Sequence, residues 1–376
     1  MSKKKYNKAI IVMFIGYIGV MIIFNLLTPL KTFSEEENRQ LQMMPNFSFE
    51  KLKSGEFTKQ FEAYIADQFP KRDFFVSVKS ESEMLLGKKE NNDVYRGKDG
   101  YLMQKFFKGD DKDIKDKVEA VNTFFENTDN INRYFMLVPN SIEILKDKLP
   151  FDAPVQSELA YINVIKSYLN KDVKFIDVYN ELASKKEEDI YYKTDHHWTT
   201  DGAYYAYEKF CEDAGIQKKN KNEFDIKTLT NNFYGTSYSK SGFNDIAPDT
   251  IKIYDPKDKE NYKVKYSESK AEENTVYSMD KLNQKDKYAV FLGGNHPIVK
   301  ITTGVRNAKK LLVIKDSYAN SFVPFLTSAY SEIYMIDLRY YDDSVSKFIK
   351  SNKINNILFL YNVITFAEDN SIQLID

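Results

Sequence analysis

Three apolar runs near the carboxyl end of the chain constrain its fold more than any other feature. The runs LLVI (311–314), IYMI (333–336) and ILFLY (357–361) are short, and polar residues follow each of them. Continuous apolar runs of this length are typical of strands buried on both faces of a parallel sheet. Their starts lie about 22 residues apart, which leaves room for one helix between neighbouring strands. The pattern therefore predicts successive βαβ units.

The same α/β pattern begins earlier in the chain and is interrupted once. YFMLVP (134–139) and KFIDVY (174–179) predict two further strands, and Thr199-Thr200 can cap a helix from Asp201 to about Ala214. Between residues 215 and 290 short alternating runs and turn residues predict a β-rich insertion. We expect an α/β domain over 126–376 with this insertion, preceded by a helical region over 31–125.

The first 30 residues have the composition of a membrane anchor. Four lysines within the first eight residues precede an apolar run from Ala9 to about Leu27. About 20 apolar residues span a bilayer as a helix, and the basic flank predicts a cytoplasmic amino terminus. We predict a single-pass anchor in the cell membrane and an extracellular body. The alternative is a cleaved signal peptide, although no small-residue cleavage site follows the run.

Composition excludes some functions and narrows others. The 54 basic and 55 acidic residues give a net charge of −1, so the chain lacks the basic excess that nucleic-acid binding requires. One cysteine, Cys211, rules out an internal disulfide, and its place in an amphipathic segment predicts a buried side chain. With only His196, His197 and His296 present, candidates for a general base are few.

Ser317 is the candidate nucleophile. It follows the strand run LLVI and precedes a predicted helix that begins near Ala319. A strand-to-helix turn of this kind exposes its side chain at the carboxyl edge of a parallel sheet, where active sites of α/β proteins lie. The helix amino terminus also favours developing negative charge. The alternative is a serine that only caps the helix.

The sequence Asp195-His196-His197-Trp198 offers a base and a group to orient it. In an extended segment, residues two apart point to the same side, so Asp195 and His197 are expected to share a face. A carboxylate beside an imidazole selects its tautomer and stabilises the imidazolium that forms during serine catalysis. The alternative is a zinc site, which we consider less favoured because no second cluster of ligands lies nearby. We expect no resident metal and no cofactor.

Three more residues are candidates for the substrate-binding part of the site. Asn362 ends the run ILFLY and could donate to an oxyanion, or simply turn the chain. Arg339 could bind substrate, or pair with Asp337 or Asp342. Trp198 could stack on a sugar, although packing behind the histidine is the favoured role.

Taken together, these strings resemble the DHHW protein family of Gram-positive bacteria. The resemblance rests on DHHW (195–198), GGNHP (293–297) and IKDSYANSFVPFL (314–326), supported by FSEEENR (33–39) and GKDGYL (97–102). That family is similar to the alginate O-acetylation proteins, whose catalytic domain belongs to the SGNH hydrolase superfamily. The resemblance covers nearly the whole chain.

The resemblance implies a flavodoxin-like α/β/α domain with a Ser, His and Asp triad. Asp195 and His197 match the family's Asp-x-His-Trp motif, and Ser317 matches its Asp-Ser motif. Asp and His precede Ser, which is the rotated motif order of the alginate proteins. The usual glycine before Asp-Ser is replaced by Lys315. Asn362 falls where the superfamily's oxyanion asparagine would lie.

Two enzymatic functions and one structural function remain open from sequence. The first is O-acetyl transfer to an extracellular or cell-wall polysaccharide through an acetylated Ser317. For this the resemblance implies a membrane-bound O-acyltransferase as the partner that supplies acetyl groups. The second is a polysaccharide acetylesterase, which uses the same triad with water. The third is a non-enzymatic scaffold of exopolysaccharide biosynthesis.

Overall fold

The computed structural model describes residues 3–34, 39–128, 130–258, 261–306 and 309–376. Residues 35–38 of the FSEEENR string lie outside the described residues. Contacts divide the chain into two compact units, residues 1–88 with 242–244, and residues 89–241 with 245–376. The sequence predicts the boundary between the helical region and the α/β domain near residue 125, whereas the helix over 111–126 packs within the second unit.

The helices fall in chain order from the amino terminus. They are α1 Lys3–Leu27, α2 Phe49–Ser54, α3 Glu56–Asp67, α4 Arg72–Leu85, α5 Asp111–Glu126, α6 Ser141–Ile144, α7 Glu158–Tyr168, α8 Tyr179–Ser184, α9 Thr200–Ala214, α10 Thr236–Ser241, α11 Ala319–Phe322, α12 Val345–Asn352 and α13 Val363–Glu368. Short 3₁₀ turns occur at 98–100, 146–148, 221–223, 279–283, 287–290, 323–326 and 370–374.

The first two strands lie in the first unit, and the remaining strands lie in the second unit. They are β1 Phe33–Ser34, β2 Arg39–Gln40, β3 Glu90–Asn91, β4 Val94–Arg96, β5 Leu102–Gln104, β6 Asn132–Val138, β7 Lys174–Phe175, β8 Phe224–Phe233, β9 Asp249–Pro256, β10 Lys263–Tyr266, β11 Glu272–Glu273, β12 Ile298–Thr302, β13 Lys310–Lys315, β14 Glu332–Ile336 and β15 Asn356–Asn362.

One mixed sheet forms the centre of the second unit, in the order β11-β10-β12-β14-β13-β15-β6-β7. The five strands from β14 to β7 are parallel, as the apolar runs predicted. Strands β12, β10 and β11 extend the sheet in antiparallel fashion. Part of the predicted β-rich insertion therefore belongs to the main sheet, while β8 and β9 form a separate hairpin.

Each parallel strand contributes to a core on both faces of the sheet, because successive side chains point to opposite sides. In β13, Leu311 and Val313 belong to one buried cluster, and Leu312 and Ile314 belong to the other. Buried residues of α9 complete the first cluster, whereas those of α5, α7, α12 and α13 complete the second. This is the α/β/α arrangement that the resemblance implied.

The amino-terminal helix stands apart in composition. Residues Lys5–Asn25 of α1 are long and apolar enough to span a membrane, and none of that stretch is buried against the protein. Such a helix is compatible with single-pass anchoring. Cys211, by contrast, is buried within α9, as predicted, and burial raises the pKa of its thiol to about 12.

Candidate active site

The Asp195–His197 segment is a tight loop, not the extended segment expected from sequence. An antiparallel bridge between Tyr191 and Trp198 closes the loop, and the Tyr192 N–H donates to the His197 carbonyl at 3.2 Å. Asp195 and His197 still face each other, but for a different reason. The carboxylate accepts a hydrogen bond from the backbone N–H of His197 at 3.0 Å, which turns the chain around it.

The loop brings Asp195, His197 and Ser317 into one hydrogen-bonded line. Nδ1 of His197 lies 2.5 Å from Oδ1 of Asp195, and Nε2 of His197 lies 2.7 Å from Oγ of Ser317. Asp195 and His197 are both buried. One imidazole nitrogen therefore donates to the carboxylate, which leaves the other free to accept the serine proton.

The second oxygen of Asp195 is held from α10. The backbone N–H of Thr236 donates to Oδ2 at 2.7 Å, and the Thr236 hydroxyl donates to it at 3.0 Å. Burial opposes ionisation of this carboxyl, but the neighbouring imidazoles of His197 and His196 and these donors hold its pKa well below the usual range. Asp195 is therefore a carboxylate at neutral pH.

A second aspartate fixes the loop from β9. Asp249 accepts the N–H groups of Lys193 and Thr194 at 2.8 and 2.7 Å, and the Thr194 hydroxyl at 2.6 Å. Burial raises the pKa of Asp249 above its usual value. The β8–β9 hairpin, which the sequence predicts only as part of an insertion, therefore supports the Asp195–His197 loop.

Ser317 lies in the three-residue turn between β13 and α11, as predicted. The preceding Asp316 is fully buried and secures this turn. Its Oδ1 accepts the N–H of Tyr318 at 2.8 Å, and its Oδ2 accepts the N–H and side-chain amide of Asn362 at 2.7 and 2.6 Å. Burial raises the pKa of Asp316 to about 6.

The amide of Asn362 is occupied within the protein. Besides Asp316, it donates to the Thr365 hydroxyl at 2.7 Å, and its oxygen caps α13 through the Thr365 N–H at 3.0 Å. Both amide hydrogens thus have acceptors, and none remains for an oxyanion in this arrangement. Asn140, which sequence reasoning missed, donates to the Asn362 oxygen at 3.1 Å and to the Tyr318 hydroxyl at 2.9 Å.

Arg339 is exposed and pairs with a buried carboxylate in an ion cluster at the ends of β13 and β14. It forms a two-point pair with Asp337, with Nε–Oδ1 and Nη2–Oδ2 distances of 2.8 and 2.6 Å. The fully buried Lys315 lies 3.4 Å from the same carboxylate. Of the alternatives left open by sequence, the structure shows Arg339 pairing with Asp337.

Tyr288 packs on the imidazole of His197, whereas Trp198 packs on Tyr318 and Phe322. Tyr288 stacks on it with ring centres 3.7 Å apart and an angle of 12°, and its hydroxyl donates to the Ser317 carbonyl at 3.2 Å. Trp198 is fully buried, so it packs behind the loop and is not accessible to a sugar. Its indole N–H donates to the Tyr318 carbonyl at 3.1 Å and to the Ser321 hydroxyl at 3.0 Å.

The remaining histidines do not contact Ser317. His296 lies 3.3 Å from Glu268 and packs on the Tyr266 ring. Burial lowers the pKa of His196 to about 3, and its Nδ1 bonds the Thr236 hydroxyl at 2.6 Å.

A metal ion is the alternative occupant of the Asp-His loop. Asp195, His196 and His197 offer ligand atoms within 4.8 Å of one another. A metal bound there would have to displace the hydrogen bonds that these atoms make to Thr236 and Ser317. The hydrogen bonds that join Asp195, His197 and Ser317 already satisfy the donors and acceptors of this loop.

A doubly wound α/β sheet with Asp and His preceding Ser, and all three meeting at its carboxyl edge, defines an SGNH-like fold. A sequence profile of the DHHW protein family matches residues 111–336. The chain belongs to the DHHW protein family. A comparison with curated proteins finds no match.

Two solved structures share the fold of this chain. A DHHW family protein from Eubacterium siraeum shares 30% identity with a TM-score of 0.67, covering 76% of this chain and 95% of its own. Bacillus cereus PatB1, solved with a sulfonyl adduct, shares 23% identity with a TM-score of 0.63, covering 75% of this chain and 100% of its own. The O-acetyltransferase domain of Pseudomonas putida AlgJ is more distant, at 12% identity and a TM-score of 0.48, with coverage of 75% and 95%.

Proposed function

We propose that the chain is an O-acetyltransferase that acts on an extracellular or cell-wall polysaccharide through an acetylated Ser317. One observation carries the proposal: the continuous hydrogen-bonded line from Asp195 through His197 to the Ser317 hydroxyl. A buried, ionised aspartate on one side of an imidazole and a serine hydroxyl on the other is the arrangement that serine acyl transfer requires.

In the first half-reaction, Ser317 Oγ attacks the acetyl carbonyl of the donor while His197 Nε2 takes the hydroxyl proton. The tetrahedral intermediate collapses, the bond between the acetyl carbon and the donor's leaving atom breaks, and His197 returns its proton to that atom. Asp195 keeps the imidazole in the required tautomer and stabilises the imidazolium. The acetyl group then remains on Ser317 as an ester.

In the second half-reaction, a sugar hydroxyl attacks the acetyl ester while His197 accepts the hydroxyl proton. The bond from the acetyl carbon to Ser317 Oγ breaks, and the proton passes from His197 to that oxygen. The product is an acetylated sugar and the free serine. Transfer rather than hydrolysis requires that the sugar hydroxyl reaches the ester ahead of water.

The anchor and the donor complete the proposal. With α1 in the membrane and its basic flank in the cytoplasm, the second unit lies outside the cell, where the polysaccharide is found. A membrane-bound O-acyltransferase, the partner implied by the resemblance, would supply acetyl groups at the same membrane.

A polysaccharide acetylesterase is the second candidate, because the same three residues can deliver water instead of a sugar hydroxyl. The scaffold hypothesis has less support, since a non-enzymatic protein has no need of the Asp195–His197–Ser317 line. The products distinguish all three functions.

The test uses the full-length protein in detergent with a chromogenic acetyl ester, with and without an acceptor oligosaccharide. Ester cleavage accompanied by acetylated oligosaccharide supports the transferase. Cleavage with only free acetate indicates the esterase. In either case Ser317→Ala should lower the rate by at least about 1,000-fold. Equal rates for wild type and Ser317→Ala would overturn both enzymatic functions.

A sulfonyl fluoride provides a second readout that needs no substrate, because such reagents form covalent adducts with activated serine hydroxyls. We expect one adduct by mass spectrometry, located on Ser317. His197→Ala should abolish it. Ser321→Ala is the matched control, since Ser321 lies in the same segment and bonds Trp198 rather than His197. An adduct that persists in Ser317→Ala would contradict the assignment.

A further inference from the structure

The first unit carries an exposed apolar surface that the catalytic chemistry does not use. Phe61, Ile65 and Phe69 follow one another at intervals of four residues along α3 and just past its end, and Phe74 and Phe75 begin α4. All five side chains are more than a third exposed, with Phe74 and Phe75 at 60% and 51%. We call these five residues the α3–α4 apolar surface.

All of these residues except Phe74 line one groove, which has an apolar floor and a charged rim. The groove encloses about 600 Å³, and Glu62, Arg72 and Lys79 lie at its edge. Phe69 and Phe75 contact each other edge to face at 5.6 Å, and Phe74 contacts Phe75 at 5.5 Å. Contiguous exposed apolar surface of this kind marks a site of contact with another apolar phase or partner.

Hydrogen bonds tie this surface to the exit point of the apolar helix. The Lys31 N–H donates to the Gln68 side chain at 3.0 Å, and the Gln68 amide donates back to the Lys31 carbonyl at 2.9 Å. Gln68 also donates to the Gln42 carbonyl at 3.2 Å, and Asp67 accepts the Gln42 N–H at 2.8 Å. Gln68 and Asp67 are both buried. We call their hydrogen bonds to Lys31 and Gln42 the clamp, which is an ordered part of the first unit.

The short chain between α1 and Lys31 limits how far Gln68 can lie from the end of α1. Helix α1 ends at Leu27, four residues before Lys31. Four residues span at most about 14 Å, so Gln68 lies within that distance of the helix end, apart from the length of its own hydrogen bond. Phe69 is the next residue. If α1 crosses the bilayer, the end of α3 and the start of α4 lie close enough to its surface to reach the lipid headgroups.

We propose that the α3–α4 apolar surface lies in the headgroup region of the outer leaflet, so that the chain contacts the membrane through a lipid-facing surface in addition to its helix. The proposal rests on the membrane anchoring in the proposed function. Amphipathic helices at a membrane surface carry Phe and Leu on their apolar faces and bury those faces about 5–10 Å into this region. Because the rim carries both signs of charge, insertion of apolar side chains, rather than attraction to anionic lipid, supplies the contact.

The test uses the full-length chain in nanodiscs whose lipids carry a nitroxide quencher near the headgroup. A fluorophore is attached at Ile65→Cys, on the surface, and separately at Ala63→Cys. Ala63 is also exposed on α3 but lies about 200° around the helix from Ile65. Native Cys211 is buried, and unmutated protein treated with the fluorophore gives the background.

We expect quenching at position 65 to exceed quenching at position 63 by at least about threefold. The double variant Phe69→Ser/Phe75→Ser should lower the quenching at 65 while leaving ester cleavage unchanged, which shows that the second unit remains folded. Replacing anionic lipid with neutral lipid should leave the ratio within about twofold. Equal quenching at 65 and 63 would overturn lipid contact and leave the groove to a protein partner.

A third label separates failure of this inference from failure of the anchoring. Ile15→Cys places the fluorophore in the middle of α1, and it is read with quenchers deep in the acyl chains. Quenching at 15 together with equal signals at 65 and 63 rejects only the lipid-facing surface. Absence of quenching at 15 rejects the anchor itself, and with it the membrane part of the proposed function.

Discussion

Asp195 has no spare room on the side of Gly235. A β-carbon added to Gly235 would lie 2.2 Å from Cβ and 2.3 Å from Oδ2 of Asp195. We therefore expect Gly235→Ala to displace the carboxylate and lower kcat by about 100-fold or more, since a shift of about 1 Å has that effect at a catalytic group. Ester hydrolysis measures the change in kcat, and the melting temperature measures the effect of the displaced carboxylate on stability.

Gly304→Ala is the matched control for this substitution. The nearest atom to its added β-carbon is the Asn261 carbonyl oxygen at 3.6 Å, an ordinary contact. Activity should stay within about twofold of wild type. Full activity in Gly235→Ala would show that the reaction does not require the Asp195 carboxylate in its observed position.

Tyr288 gives a second prediction for a single residue. Its ring stacks on His197, and an aromatic contact of this kind contributes about 0.5–1.5 kcal/mol, or roughly a 2- to 13-fold change in rate. We expect Tyr288→Leu to lower kcat by this factor with little change in KM, because the ring orients the imidazole. Tyr288→Phe keeps the ring and should retain most of the activity. An equal loss in both variants would assign the effect to the hydroxyl.

The candidate site was predictable from sequence only where chemistry and local spacing coincide. Asp195 and His197 are two residues apart, and Ser317 follows an obvious strand, so all three could be named. Tyr288 and Gly235 act across contacts distant in the sequence, and no local pattern identifies either. Asn362 was correctly placed at the end of a strand, but the acceptors around its amide appear only once β13 and β15 are side by side.

At the scale of elements, the ends of β13 and β14 depend on one carboxylate. Asp337 neutralises both Arg339 and the fully buried Lys315. Burial lowers the pKa of Lys315, which reflects the energy needed to keep that ammonium away from water. We expect Asp337→Asn to destabilise the fold by about 3–5 kcal/mol, because two cations lose their partner.

Lys315→Met is the comparison for that substitution. It leaves Asp337 in its two-point pair with Arg339, so the loss of stability should be below about 2 kcal/mol. Denaturant unfolding measures both variants. If Lys315→Met proves the more destabilising of the two, the central role of Asp337 is wrong.

The elements themselves were predicted unevenly. Long apolar runs identified β6, β13, β14 and β15, because strands buried on both faces carry an unbroken signal. The predicted strand over 174–179 is ordered as a strand only at Lys174–Phe175, since α8 already begins at Tyr179. Strand β12 was missed. It is short and half-buried, and it joins the sheet through antiparallel pairing that an α/β pattern does not signal.

For the whole molecule, one buried acid links stability to pH. Glu158 is fully buried, accepts the Asn140 N–H at 2.7 Å, and has one oxygen without a hydrogen-bond partner among the described residues. Burial raises its pKa from 4.5 to about 8. Between these values the folded chain holds a proton that the unfolded chain releases, so stability falls as pH rises from about 4.5 through 8.

Glu158→Gln removes this titration while preserving the shape of the side chain. We expect its melting temperature to fall less than that of wild type between pH 6 and pH 9. Glu119→Gln makes the same charge change at an exposed position of α5 and should follow the wild-type curve. Parallel curves for wild type and Glu158→Gln would show that Glu158 is not the group responsible.

The order of strands in the main sheet also determines when the protein can fold. Strand β6 pairs along its full length with β15, and Asn132 and Asn356, which join the two strands, are 224 positions apart. Contacts between such distant segments form slowly, because a long loop must close first. Strand β6 therefore lacks its partner β15 until the segment that ends at Asn362 has joined the sheet. The Ser317 turn is secured through Asp316 to the end of β15, so the Asp195–His197–Ser317 line can be completed only after β15 has paired, late in folding.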